Sequence, residues 1–256
     1  MSLLVVAGCG GKAELPGKLL VHCGTGAISP VYAYKDGRLT ERVADVASFD
    51  ARGGRVAVSG GQGVTSRGLG IAVDGRVVAS GNAVALRDDG TLAFAREYGP
   101  DAQWGIFTQG AGGRARRVAG PFQAVVGQQW ARDGLFALVR QNRGRYYVAS
   151  DVGTPKQRLT ALKMDKGMPL AVSPKGDLAY GNGVLTEGEY RLHIHGGRGF
   201  ETFWRPLTWT PDSSRVLVQR IGTTPRQPLG LLDPESGEVE ELETLSCGAV
   251  YAARFA

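Results

Sequence analysis

Apolar positions in this chain come in short alternating runs, and the runs are paired around tight turns. Leu207–Trp209 leads into a turn opened by Pro211 and Asp212, and Val216–Val218 follows it. Proline pre-sets φ at the first corner and an aspartate can accept a backbone N–H two residues on, so the stretch predicts a β-hairpin with a stated mechanism. The same device recurs. Val84–Leu86, turn 87–90 and Thr91–Phe94 form one copy; Gln129–Trp130, turn 131–134 and Leu135–Leu138 a second; Leu170–Val172, turn 173–176 and Asp177–Tyr180 a third. A degenerate copy runs from Ala47–Phe49 through turn 51–54 to Arg55–Val58.

The turns measure out a period. Gly17, Gly54, Gly90, Gly134, Gly176 and Ser214 are separated by 37, 36, 44, 42 and 38 residues. A period near 40 with room for four strands is the signature of a propeller blade. A second set of turns, at 35–37, 74–75, 112–113, Gly153, 196–197 and 233–237, supplies the other hairpin of each unit. In the strand after each first turn, the second and fourth positions are apolar in all six copies, from Leu19 and Val21 to Val216 and Val218. The position between them is often Ala or Leu, as expected for strands buried between neighbouring blades on both faces. The expected fold is therefore all-β, a six-bladed propeller of four-stranded antiparallel blades.

The two ends explain each other. No strand precedes Gly17, whereas the stretch 248–256 is one strand too many after the sixth unit. The C-terminal strand is expected to complete the first blade, which also removes an open sheet edge. Residues 16–256 then form a single propeller domain. Closure brings the loop after the first blade's second strand, at Cys23, to the same end as the residue before the closing strand, Cys247. A Cys23–Cys247 disulfide is expected; two free buried thiols are the alternative.

Composition changes the picture in two respects. The chain has 39 Gly and 21% charged residues, which suits short strands and tight turns, and no apolar run reaches the ~18 residues of a membrane span. The net charge of +6 favours anionic partners or surfaces, but no Lys/Arg run interleaved with aromatics marks a nucleic-acid site. Val6–Cys9 followed by two glycines and a lysine resembles a bacterial lipobox, with Cys9 as the lipidated residue. Residues 1–15 read as the remnant of a lipoprotein signal whose front end is missing, plus a short linker; a chance Ala-Gly-Cys is the alternative. A lipid on Cys9 is then the only expected link to a membrane, and with the disulfide it implies a bacterial cell-envelope setting outside the cytoplasm.

The motif in 207–218, with Leu232–Leu242 closing the same unit, resembles the WD-like repeats of TolB-type β-propellers, and Val172–Ala179 repeats it more weakly. The resemblance implies an exported six-bladed propeller that acts by binding. It carries no functional residues, and that family's separate N-terminal domain has no counterpart here.

Candidate chemistry is sparse. His193 and His195 share one face of a strand with metal-like spacing, but a third ligand is missing and His22 belongs to a distant unit. Asp88, Asp89 and Asp212 are turn residues, and no nucleophile–base set assembles. No metal or other cofactor is expected. The more suggestive pattern is basic: Arg96, Arg140 and Arg220 recur at the sixth position of the second strand in three units. The loops that follow add Arg143, Arg145 and Arg226, and Arg67, Lys163, Lys166 and Arg205 fall at the same end. Guanidinium groups around a ring mouth can hold carboxylates or phosphates in two-pronged fashion; the alternative is that each Arg closes its own strand end on a local acid or carbonyl. The expected function is a non-enzymatic, monomeric binding or scaffold protein that presents this end to a protein or anionic partner. The alternative is a propeller hydrolase or lyase with a metal or histidine site.

Overall fold

The computed structural model describes residues 15, 17–26, 28–35, 38–65, 68–99, 101–141, 144–162, 170–182, 191–194, 199–222 and 227–256. Among them the structure is all-β. In chain order the strands are β1 (Leu19–Gly24), β2 (Ser29–Lys35), β3 (Arg38–Arg52), β4 (Arg55–Thr65), β5 (Gly68–Val73), β6 (Arg76–Ser80), β7 (Asn82–Leu86) and β8 (Leu92–Tyr98). Next come β9 (Gln103–Gln109), β10 (Arg116–Phe122), β11 (Ala124–Trp130), β12 (Leu135–Arg140), β13 (Tyr146–Ser150), β14 (Arg158–Leu162), β15 (Leu170–Val172) and β16 (Leu178–Asn182). The last are β17 (Arg191–Ile194), β18 (Gly199–Glu201), β19 (Trp204–Trp209), β20 (Val216–Arg220), β21 (Pro228–Leu232), β22 (Val239–Thr244) and β23 (Ala249–Phe255).

Strands β7–β10, β11–β14, β15–β18 and β19–β22 make four antiparallel sheets of four strands, each in sequential order. The hairpins read from the sequence are their first turns. In the last of these sheets Asp212 fixes the turn: its carboxylate accepts Thr210 Oγ1 at 2.6 Å, Ser214 N at 3.0 Å and Ser214 Oγ at 2.7 Å. These hydrogen bonds, led by the Thr210 hydroxyl, hold the Asp212 carboxyl down at about 2. Leu92, Phe94, Leu138, Leu178, Val216 and Val218 are buried, and so are Ala93, Ala137, Ala179 and Leu217 between them, as expected of strands covered on both faces; Val56, Phe136 and Tyr180 are half-buried.

The first two units differ from expectation. They are not separate sheets but one sheet of seven strands, in the order β23-β1-β2-β3-β4-β5-β6. The reason lies in β3, which is 15 residues long. Its first part pairs with β2 as far as Ser29↔Val46, and its last part pairs with β4 from Val46↔Gly60 to Arg52↔Arg55. The chain redirects at Asp45, which adopts a left-handed φ of 55°, instead of breaking into a loop. Gly60 permits the close crossing: a Cβ there would lie 2.5 Å from the Asp45 carbonyl oxygen.

Strand β23 pairs antiparallel with β1, from Leu19↔Phe255 to Gly24↔Ala249. The C-terminal strand thus completes the first sheet, as read from the sequence. Cys23 and Cys247 are joined by a disulfide across 224 residues of sequence, with Cα atoms 5.7 Å apart.

The innermost strands β3, β7, β11, β15, β19 and β23 pack one on the next in a ring. A polar side chain fastens every junction. Arg254 of β23 donates to Asp50 of β3 at 2.6 Å, and Asp50 accepts the Leu86 N–H of β7 at 2.7 Å. Gln128 of β11 donates to the Ala83 carbonyl of β7, while its neighbour Gln129 accepts the Val172 N–H of β15 at 2.7 Å. Trp209 of β19 donates its indole N–H to the Ala171 carbonyl at 3.3 Å, and Arg205 donates to the Val250 carbonyl of β23 at 2.6 Å. Inner strands of neighbouring sheets do not share a ladder, so these side chains satisfy backbone groups that would otherwise be buried without partners.

Candidate functional site

The ring encloses a channel with two chambers. The chamber at the first-turn end measures 380 Å³ and is bordered by Arg52, Asp88, Trp130, Trp209 and Phe255. The other, at the end where the inner strands begin, measures 270 Å³ and is bordered by His22, Val126, Gln128, Leu170, Arg205 and Tyr251. Gln129 and Arg254 border both chambers. The channel's charged groups are already engaged. Asp50 and Arg254 are 7% and 14% exposed and paired with each other, and Arg205 also donates to Gln219 Oε1 at 3.0 Å. At the first-turn mouth Arg52 donates to the Trp130 carbonyl at 2.7 Å and pairs with Asp88 at 3.2 Å.

His22 is a buried titratable group of the second chamber, at the end where the inner strands begin. It packs against Tyr251 at 5.4 Å between ring centroids and edge-on to Phe49 at 6.2 Å, and its Nε2 finds no partner. Burial lowers its pKa from 6.5, while hydrogen bonds to the backbone of Val46 and Ser29 pull less strongly the other way. A depressed histidine pKa means that the unfolded chain takes up a proton the folded chain does not. Stability from this source is complete above pH 6.5 and declines as the pH falls below it. The unfolding midpoint, followed downward from pH 6.5, should therefore fall less steeply in His22→Gln than in the parent protein; parallel slopes would assign the acid sensitivity elsewhere.

The described arginines of the expected basic end have separate surroundings. Register sets Arg140 opposite Ala124, the first residue of β11, and Arg220 opposite Trp204, the first residue of β19. Arg96 lies opposite Gly105 at the same end of β8. Its guanidinium sits 4.3 Å from the centroid of the Phe107 ring, and Arg220 pairs with Glu241 of its own sheet at 3.6 Å. Arg140 has a buried Nε without a partner, and Arg145 is exposed. Arg67, Arg143, Lys163, Lys166 and Arg226 lie outside the described residues, as does Cys9.

The histidine pair is half visible. His193 stacks on Tyr180 across the β16–β17 ladder, with centroids 5.3 Å apart and planes within 13°. Burial, followed by the charge of Arg191, lowers its pKa. His195 lies outside the described residues. Among the described residues no three His, Cys, Asp or Glu side chains converge as a metal site, and no helix is long and apolar enough to cross a membrane.

The sequence reading passed over Asp50, Gln128, Gln129 and Arg254. Each is a polar residue among the apolar and small residues of an inner strand. That interruption was the available signal.

Antiparallel sheets set around a channel, each contributing its inner strand to the lining, define a β-propeller. Solved propellers agree. The chain resembles TolB from Acinetobacter baumannii with a TM-score of 0.66 and 12% identity, over 94% of this chain and 67% of that one. It resembles the β-propeller domain of the trilobed protease from Pyrococcus furiosus, described as having an open velcro topology, at 0.59 and 11% over 77% and 70%. A putative 6-phosphogluconolactonase from Bacteroides fragilis matches at 0.54 and 11% over 94% and 98%. At these identities the likeness is one of fold. No protein-family model and no curated protein matches the sequence.

Proposed function

We propose that the protein is a non-enzymatic binding propeller that works outside the cytoplasm, tethered by a lipid on Cys9. It presents the end of the ring at which the inner strands begin to a protein or anionic partner. The architecture is read as six blades: four separate sheets, and two more that share β3 and divide at Asp45. The observation that supports the binding site is the register of Arg140 and Arg220, which lie opposite the first residues of the inner strands β11 and β19. The disulfide supports an oxidising setting. The commitment of Asp50, Arg254 and Arg205 to fastening the ring supports binding rather than chemistry in the channel.

The test is site-specific photo-crosslinking in cells. A photoreactive residue at position 145 should capture a discrete partner, in a salt-sensitive manner, and Arg140→Ala should reduce the yield. The same residue at position 116, at the outer-strand turn on the opposite end, should not. Equal labelling from both positions would remove this end as the binding face. Metal bound in proportion to protein, and lost in His193→Ala, would replace the proposal with a metal-dependent hydrolase or lyase.

A further inference from the structure

The sharing of β3 leaves a groove on the flank of the molecule. The wings β1–β3 and β4–β6 enclose 580 Å³ between them, within the ~300–1,000 Å³ usual for small-ligand sites. The lining is apolar and ordered by the ladders. Val31 and Val43 are cross-strand partners on one wing, and Val58, Ala72 and Val77 form a single cross-strand row on the other. Val77, at the end of that row, is 65% exposed, a large apolar side chain left to solvent on an edge strand. Isolated exposed apolar residues are ordinary, but one that continues an apolar trough is not isolated.

The charges around the groove are unequal. Lys18 and Arg42 border it, both are exposed, and neither forms a salt bridge among the described residues. The bordering carboxylate, Asp74, is already satisfied: it pairs with Arg55 at 2.9 Å and accepts the Val56 N–H at 3.0 Å. An apolar trough with two cations and a neutralised acid is complementary to a molecule that is anionic at one end and hydrocarbon along its length. We propose that this groove binds a single-chain anionic amphiphile of the fatty-acid class, its chain along the valine rows and its carboxylate against one of the two bordering cations, Lys18 or Arg42, which the β1–β2–β3 register sets apart along the groove. The site is on the flank, remote in sequence from Arg140 and Arg220, and stands or falls separately from the partner-binding face.

The experiment uses the full chain and displacement of a fluorescent fatty acid by hexadecanoate, hexadecanol and hexadecyltrimethylammonium, each kept below its micelle threshold. Hexadecanoate should bind saturably at one per chain and ahead of the cationic analogue. Lys18→Glu/Arg42→Glu should weaken hexadecanoate by about tenfold, one exposed ion pair being lost and replaced by repulsion, and leave hexadecanol unchanged. Ala72→Phe should block both by filling the trough. Val77→Glu, at an exposed position that does not threaten folding, should weaken hexadecanoate independently. Absence of saturable binding, equal binding of all three head groups, or binding indifferent to these variants would each overturn the proposal.

Discussion

Reduction of the Cys23–Cys247 disulfide is expected to destabilise the protein by several kcal/mol, with a fall of about 10 °C in the thermal midpoint. The bond spans 224 residues, and closing a loop of that length restricts the unfolded chain by roughly 5 kcal/mol in the entropy model; native disulfides deliver about 2–5. The location adds to the effect. Cys23 is on β1 and Cys247 directly precedes β23, so the bond holds together the two strands whose pairing completes the ring. Denaturant unfolding of Cys23→Ser/Cys247→Ser against the oxidised parent measures the loss. A midpoint shift corresponding to less than about 1 kcal/mol would mean that the β23–β1 ladder closes the ring unaided.

Asp50→Ala should cost about as much, and for a different reason. The carboxylate holds the Arg254 guanidinium on one oxygen and the Leu86 N–H on the other. Removing it strands a guanidinium that is only 14% exposed, together with a backbone donor. Breaking one partner out of a buried pair costs about 3–5 kcal/mol, whereas replacing both partners by apolar groups is often nearly neutral. Asp50→Leu/Arg254→Met should therefore recover most of the stability lost in Asp50→Ala. If the double variant is as unstable as the single one, the Leu86 hydrogen bond and not the ion pair is the important link. Chemical denaturation of the three proteins separates these outcomes.

How much of this was legible beforehand depended on whether the signal was local. Turn chemistry is local: Pro211, Asp212 and the recurrent glycines announced the hairpins, and the continuous apolar runs in 216–218 and 92–94 announced strands buried on both faces. Ring closure was legible because one strand was left over, and the disulfide followed from closure. The fusion of the first two units was not. Nothing in the run 38–52 shows that Asp45 will take a left-handed conformation and let one strand serve two neighbours, because the determinant is the crossing against Gly60, a contact made only in the folded chain. The fastening of the ring was missed for the same reason. Gln128, Gln129 and Arg254 are polar residues whose partners are 43 to 204 positions away. Strand register locates an arginine along its strand, yet it says nothing about what a long side chain meets. Arg96 met an aromatic ring and Arg220 an acid of its own sheet.

The pairing of β23 with β1 also sets an order of events. Strand β1 is made first and its inner neighbour comes more than 200 residues later. Until residues 249–255 emerge, the first sheet carries an unpaired edge, and the cavity-lining side of β1, with His22 on it, is open to water. Contacts so distant in sequence form slowly, and an open strand edge in the interval invites pairing with another chain. Before β23 docks the sheets form an open arc, and this strand turns that arc into a body without a seam.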